Sequence, residues 1–296
     1  MAQMSHPSVL TELDADRVKA TVEKDGYALV RGADVSLEQF EALSDALLIP
    51  IVHQATRTVE RDRVNEAGTT STVNKGSDFV PYHREGSYAP GCPHLVAFYC
   101  VTPPTDGGQT MLCDGVRLRE SLPDPVREFV DGAMLKWRWW AKPDRWQATL
   151  GTDDKEEALR RVAGLRDLLP SYESVEDVRF DGDILEGRFI SATVIPTRWG
   201  GRRAFCNSVL IYYYREANSY FEKDAELSLV DGSPFPPDML EEISAEAERL
   251  TEDVAWEPTD VLIVDNSRFM HGRRAFGNPS RRILVRMGYV HPPQAG

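Results

Sequence analysis

"VDNSRFMHGRRAFGNPSRRILVRMGYV", Val264 to Val290, decides how the rest of the chain is read. An apolar strand, Val261 to Val264, delivers Asp265-Asn266, and His271 follows at the far side of a tight segment, just before Gly272. After a Gly-Asn-Pro turn the chain runs into a last strand-like stretch. There Arg282, Leu284 and Arg286 fall on one face, and Ile283, Val285, Met287 and Tyr289 on the other. If the arginine face points outward, this is a plain amphipathic strand. If it lines the interior of a barrel, two guanidinium groups need anionic partners there, because an unpaired buried charge is prohibitively costly. Read alone, His271 is a polar residue at a strand end.

Composition narrows the class. The chain has 296 residues, of which 42% are hydrophobic, 9% aromatic and 27% charged, the profile of a globular protein with a substantial core. No apolar run approaches the roughly 20 residues of a membrane span. "MAQMSHPSVLTELDADRV" lacks the basic and apolar regions of a secretory signal, so a cytoplasmic protein without a membrane partner is expected. Cys92, Cys100, Cys113 and Cys206 form no C-x-x-C pair and read as reduced, partly buried thiols. The 47 acidic against 34 basic residues give a formal charge of -13, which repels phosphate backbones and excludes nucleic acid as a partner. "RTVERDRVNE" (57–66) and "RWGGRR" (198–203) read as solvated turns or faces.

Working outward, a first helix is expected over Asp16 to Lys24, followed by a short apolar strand in "GYALVRG", Gly26 to Gly32. Ser36 and Gln39 form a capping box for a second helix with Leu37, Phe40, Leu43 and Leu47 on one side. "HLVAFYCV", "TPPTDGGQT" and "TMLCDG" read as strand, turn, strand. The middle differs. A helix starts in "LPDPVREFVDG", "MLKWRWWAK" alternates like a strand, and Ala158, Val162, Leu165 and Leu169 recur at helical spacing. About 124–191 therefore reads as an insertion packed over the sheet, within one domain spanning 1–296. Its tryptophans, Trp137, Trp139, Trp140 and Trp146, belong either to a pocket wall or, by the stronger reading, to the core. Met239, Ile243, Ala247 and Leu250 mark a final helix.

"PYHREGSYAP", Pro81 to Pro90, holds the second histidine of interest. Its prolines and glycine interrupt any helix. In extended chain, His83 and Glu85 point to the same side, where an imidazole beside a carboxylate suits a divalent metal.

These residues jointly resemble the TauD/TfdA family of iron(II)- and 2-oxoglutarate-dependent dioxygenases, from "GYALVRG" to "RRILVRMGYV". His83-x-Glu85 sits where the family has its His-x-Asp/Glu pair, and Thr110 in "GGQT", 27 residues after His83, sits where it has a 2-oxoglutarate-binding threonine. His271 matches the distal metal ligand. Arg282, 11 residues later, matches the arginine for the cosubstrate's distal carboxylate, and Arg286, four further on, a second active-site arginine. The resemblance implies a double-stranded β-helix, a cupin-like jelly roll, mainly β with flanking helices. It implies iron(II) held by His83, Glu85 and His271, 2-oxoglutarate held by Thr110 and Arg282, and dioxygen as the other cosubstrate. Turnover would couple conversion of 2-oxoglutarate to succinate with oxidation, hydroxylation foremost, of a small molecule. An anionic or amino-acid-like substrate contacting Arg286 is expected, with Trp137, Trp139 and "IYYYRE" (Ile211 to Glu216) as candidate wall. Family halogenases lack the carboxylate that Glu85 supplies, so halogenation is disfavoured. The competing class is a cupin-like isomerase or a hydrolase with the same triad, neither of which accounts for Thr110 and Arg282 at these spacings; a non-catalytic ligand-binding module is a third reading, distinguished by succinate production no different from a metal-free control.

Overall fold

The computed structural model describes residues 8–52, 61–214, 225–277 and 280–292. Asn278-Pro279 of the last turn and Arg215-Glu216 of "IYYYRE" lie outside the described residues.

Two antiparallel sheets face each other. The larger has seven strands, ordered Val9–Leu10, Tyr27–Val30, Val261–Asp265, Leu95–Thr102, Arg282–Val290 and Leu48–Pro50, with Ser71–Thr72 also paired to Arg282–Val290. Only the Val9–Leu10 edge is parallel. The smaller runs Glu252–Val254, Thr110–Asp114, Phe269–Arg273 and Val80–His83. Alternation divides each strand between two layers. From Thr110–Asp114, Leu112 enters the cluster between the sheets, while Met111 and Cys113 enter the cluster outside it. Phe98, Leu262, Ile283, Val285 and Met287 meet Leu112, Val254 and Phe269 in that inner layer. This is the expected jelly roll.

Helices Ala15–Asp25 and Leu37–Leu47 cover the outer face of the larger sheet, burying Val18, Val22, Phe40 and Leu43 against Ala28, Ala97, Ile263 and Leu284. The Ser36/Gln39 capping box is present, so the second helix starts where its sequence says. Outside the smaller sheet lie Gly115–Ser121, Pro237–Leu250 and a separate four-stranded sheet, ordered Ala225–Leu229, Met134–Ala141, Ile184–Ala192 and Glu173–Asp181. Most of that sheet comes from the stretch read as an insertion, but one edge strand is recruited from beyond it. Trp137 and Trp146 are buried in this outer layer, so packing, not a pocket wall, accounts for them. The helix through Val162 ends at Leu165, short of Leu169; a single 3-10 turn follows and Pro170 prevents continuation. No helix among the described residues is long and apolar enough to cross a membrane.

Candidate active site

The smaller sheet places both histidines. In Phe269–Arg273 the side chains of Phe269, His271 and Arg273 turn inward and Met270 outward. His271 pairs directly with His83 on the neighbouring strand, setting their rings 4.3 Å apart between centroids. Gly272 permits this approach: a Cβ there would lie 2.6 Å from the Val80 carbonyl oxygen. The His83 Nδ1 lies 2.8 Å from the Pro81 carbonyl oxygen. That oxygen can only accept, so Nδ1 carries the proton and Nε2 offers its lone pair to the cleft.

Glu85 arrives differently from the sequence expectation. The strand stops at His83, and Glu85 sits in the turn that follows, so its orientation does not come from extended alternation. Asn266 supplies it. Fully buried, Asn266 accepts from the Glu85 N–H through Oδ1 (2.9 Å) and donates through Nδ2 to the Glu85 carbonyl (3.0 Å) and the Pro93 carbonyl (2.8 Å). Asn266, five residues before His271 in sequence, thus fixes the carboxylate-bearing turn. The result is convergence: Glu85 Oε2 is 3.7 Å from Nε2 of both His83 and His271.

Arg61 Nη2 donates to the other oxygen, Oε1, at 3.3 Å. Burial alone would raise the Glu85 carboxyl, but Arg61 and then the two histidines outweigh it and hold it well below the usual carboxylate range. Burial, then the neighbouring His83, pushes His271 down to about 4, so it is neutral and able to ligate. Its Nδ1 is buried without a hydrogen-bond partner among the described residues. Two imidazoles and an ionised carboxylate, ligand atoms within 4.8 Å of one another, fit a divalent transition metal.

The triad opens into a cleft with about 430 Å³ of empty space, also lined by Arg61, Val73, Asn74, Phe98, Thr110, Arg273, Arg281 and Val285. Thr110 Oγ1 accepts from the Trp256 indole N–H at 3.1 Å, leaving its own O–H to donate into the cleft.

The arginines require correction. Arg282 does not line the cleft; it is exposed. Arg286 is buried on the opposite side of the sheet, where it pairs with Asp45 and Glu41 of helix Leu37–Leu47. The register shifts between Arg282 and Ile283, and from there Ile283, Val285 and Met287 face inward while Leu284 and Arg286 face the helices. The amphipathic alternative for this strand is therefore the observed one. Arg281 enters the cleft instead. Its Nε donates to the Gly108 carbonyl at 2.9 Å, and among the described residues it has no carboxylate partner. Burial, then nearby Arg273, pushes Arg281 down to about 9. A half-buried cation lacking an anion is a position for an anionic ligand.

Sequence reasoning missed Arg61, which lay in a mixed-charge stretch read as solvated, and it missed Arg273 and Arg281. For Arg281 a signal existed: Glu41 and Asp45 are one turn apart on the second expected helix, a ready acidic partner for the face carrying Arg282 and Arg286, which would leave Arg281 to the other side.

Over residues 2–287 the chain matches the family described as "Taurine catabolism dioxygenase TauD, TfdA family". It is 26% identical over 282 residues to a clavaminate synthase-like protein of Arabidopsis thaliana, covering 89% of this chain and 82% of the relative. Among solved structures, a taurine dioxygenase from Burkholderia xenovorans superposes with a TM-score of 0.56 at 17% identity, over 98% of this chain and 82% of that one. AAD-2 in complex with Mn(II) and N-oxalylglycine superposes with a TM-score of 0.55 at 14% identity, over 95% and 89%. At such identities the structural likeness speaks for the fold.

Proposed function

Since the chain belongs to the TauD/TfdA family and is an iron(II)- and 2-oxoglutarate-dependent oxygenase acting on a small molecule, we propose which of its residues do this work. His83 Nε2, His271 Nε2 and Glu85 Oε2 hold the iron. Arg281 and Thr110 hold the distal carboxylate of 2-oxoglutarate, through a guanidinium fork and a hydroxyl donor. Iron(II), when bound, supplies the redox chemistry that couples dioxygen and 2-oxoglutarate to substrate oxidation, yielding succinate and carbon dioxide. Val73, Phe98 and Val285 keep the cleft wall apolar. The observation that carries the reading is the convergence of three ligand atoms in the same cleft as Arg281, which has no carboxylate partner among the described residues.

The reaction is hydroxylation, with halogenation disfavoured by the presence of Glu85. The primary substrate is anionic or amino-acid-like. Among the described residues that line the cleft, guanidinium groups outnumber carboxylates, which favours an anionic substrate. We place the enzyme in the cytoplasm, in keeping with four buried free cysteines.

Two variants test the cosubstrate assignment. Anaerobic titration with 2-oxoglutarate should show Arg281→Met losing about 2 to 5 kcal/mol of binding. Arg282→Met should bind like wild type. The reverse pattern would restore Arg282 to the site and remove Arg281. Succinate release coupled to product mass, screened across small anionic compounds, then identifies the substrate.

A further inference from the structure

The two oxygens of Glu85 have different partners. Oε2 faces Nε2 of both histidines at 3.7 Å, whereas Oε1 accepts from Arg61 Nη2 at 3.3 Å. Arg61 is itself fixed, its Nε donating to Asn74 Oδ1 at 3.0 Å, and its side chain is only 9% exposed. We propose that Arg61 is a positioning residue that keeps Glu85 a one-oxygen ligand. The inference rests on Glu85 being an iron ligand, as proposed above.

The reasoning is geometric. A carboxylate can ligate through one oxygen or two. The two-histidine, one-carboxylate arrangement works because it leaves open positions, and a second Glu85 oxygen on the metal would take one of them. Glutamate, a methylene longer than aspartate, has the reach and the extra torsion to swing both oxygens onto the metal. Asn266 cannot prevent this, because it holds only the Glu85 backbone. A charge-assisted hydrogen bond to Oε1 does prevent it, and it also supplies the partner that a buried carboxylate requires. Arg61 therefore settles how many positions remain for 2-oxoglutarate and dioxygen, without touching either.

The test is anaerobic and needs no primary substrate. Mn(II) affinity is measured by the disappearance of free Mn(II) in electron paramagnetic resonance. The visible charge-transfer band of the iron(II) and 2-oxoglutarate complex is recorded at saturating metal. Wild type is compared with Arg61→Met, Arg61→Gln, Arg61→Lys and Glu85→Ala, each checked for folding by circular dichroism. Arg61→Met, or Arg61→Gln should the methionine variant not fold, is expected to show a weakened or shifted band, because a second Glu85 oxygen on the metal takes a position the keto acid needs, with Mn(II) affinity changed roughly 10-fold or more. Arg61→Lys, which retains a charge, should recover both in part. If Glu85→Ala loses metal while the neutral Arg61 variants keep wild-type affinity and band, the Arg61 inference fails and the ligand assignment stands. If Glu85→Ala binds metal like wild type, the assignment itself fails.

Discussion

Asn266 shows how much of this site is fixed one residue away from its chemistry. Its side-chain amide engages both backbone polar groups of Glu85, and its own carbonyl accepts from Arg84 Nε at 3.0 Å, so it ties the turn carrying Glu85 to the segment leading to His271. Asn266→Ala should leave the histidines in place and free the turn. Isothermal titration with Mn(II) is expected to show affinity reduced roughly 10- to 100-fold, and unchanged affinity would assign Asn266 to packing alone. At this scale the sequence was informative for His83, Glu85, Thr110 and His271, which the structure gathers into one cleft. The match of the His-x-Glu pair, and of the long separations to Thr110 and between His271 and the arginines, to the family's pattern carried the signal. Arg61 carried none: it reaches Glu85 through the fold, and its neighbours in sequence, Asp62 and Arg63, resemble any charged turn.

At the scale of the element, strand Arg282–Val290 is where reading and structure part. Period 2 correctly put Arg286 with Leu284 and opposite Val285, but the assignment of inside and outside was inverted. Alternation fixes which residues share a face; it says nothing about which face meets the core. One residue of register at the bulge between Arg282 and Ile283 decides whether Arg281 or Arg282 reaches the cleft, and no local sequence feature announces it. With Arg286 clamped by Asp45 and Glu41, Arg286→Gln becomes a stability variant. It should lower the unfolding free energy by about 1 to 3 kcal/mol in urea titrations. Affinity for 2-oxoglutarate should stay at the wild-type value; a loss there would return Arg286 to the active site.

Across the whole molecule the architecture is a stack: helices, the larger sheet, the smaller sheet, then helices with a further sheet. The two N-terminal helices were legible because amphipathic periods and a capping box are local, whereas the jelly roll was legible only through the resemblance to the TauD/TfdA family. The outer four-stranded sheet was only half legible, since Ala225–Leu229 joins it by a long-range pairing that its own sequence does not encode. The stack leaves His83 and His271 on the inner face of the smaller sheet, Glu85 in the turn after it, and Arg281 just before strand Arg282–Val290 of the larger one, so the cleft exists only once the two sheets close on each other. The most direct measurement is therefore a crystal structure grown with Mn(II) and N-oxalylglycine, the pair captured in the AAD-2 complex. The account predicts one metal between His83 Nε2, His271 Nε2 and Glu85 Oε2, with Arg61 still on Oε1 and the distal carboxylate between Arg281 and Thr110. A metal bound elsewhere, or a distal carboxylate held by Arg282 or Arg286, would contradict it.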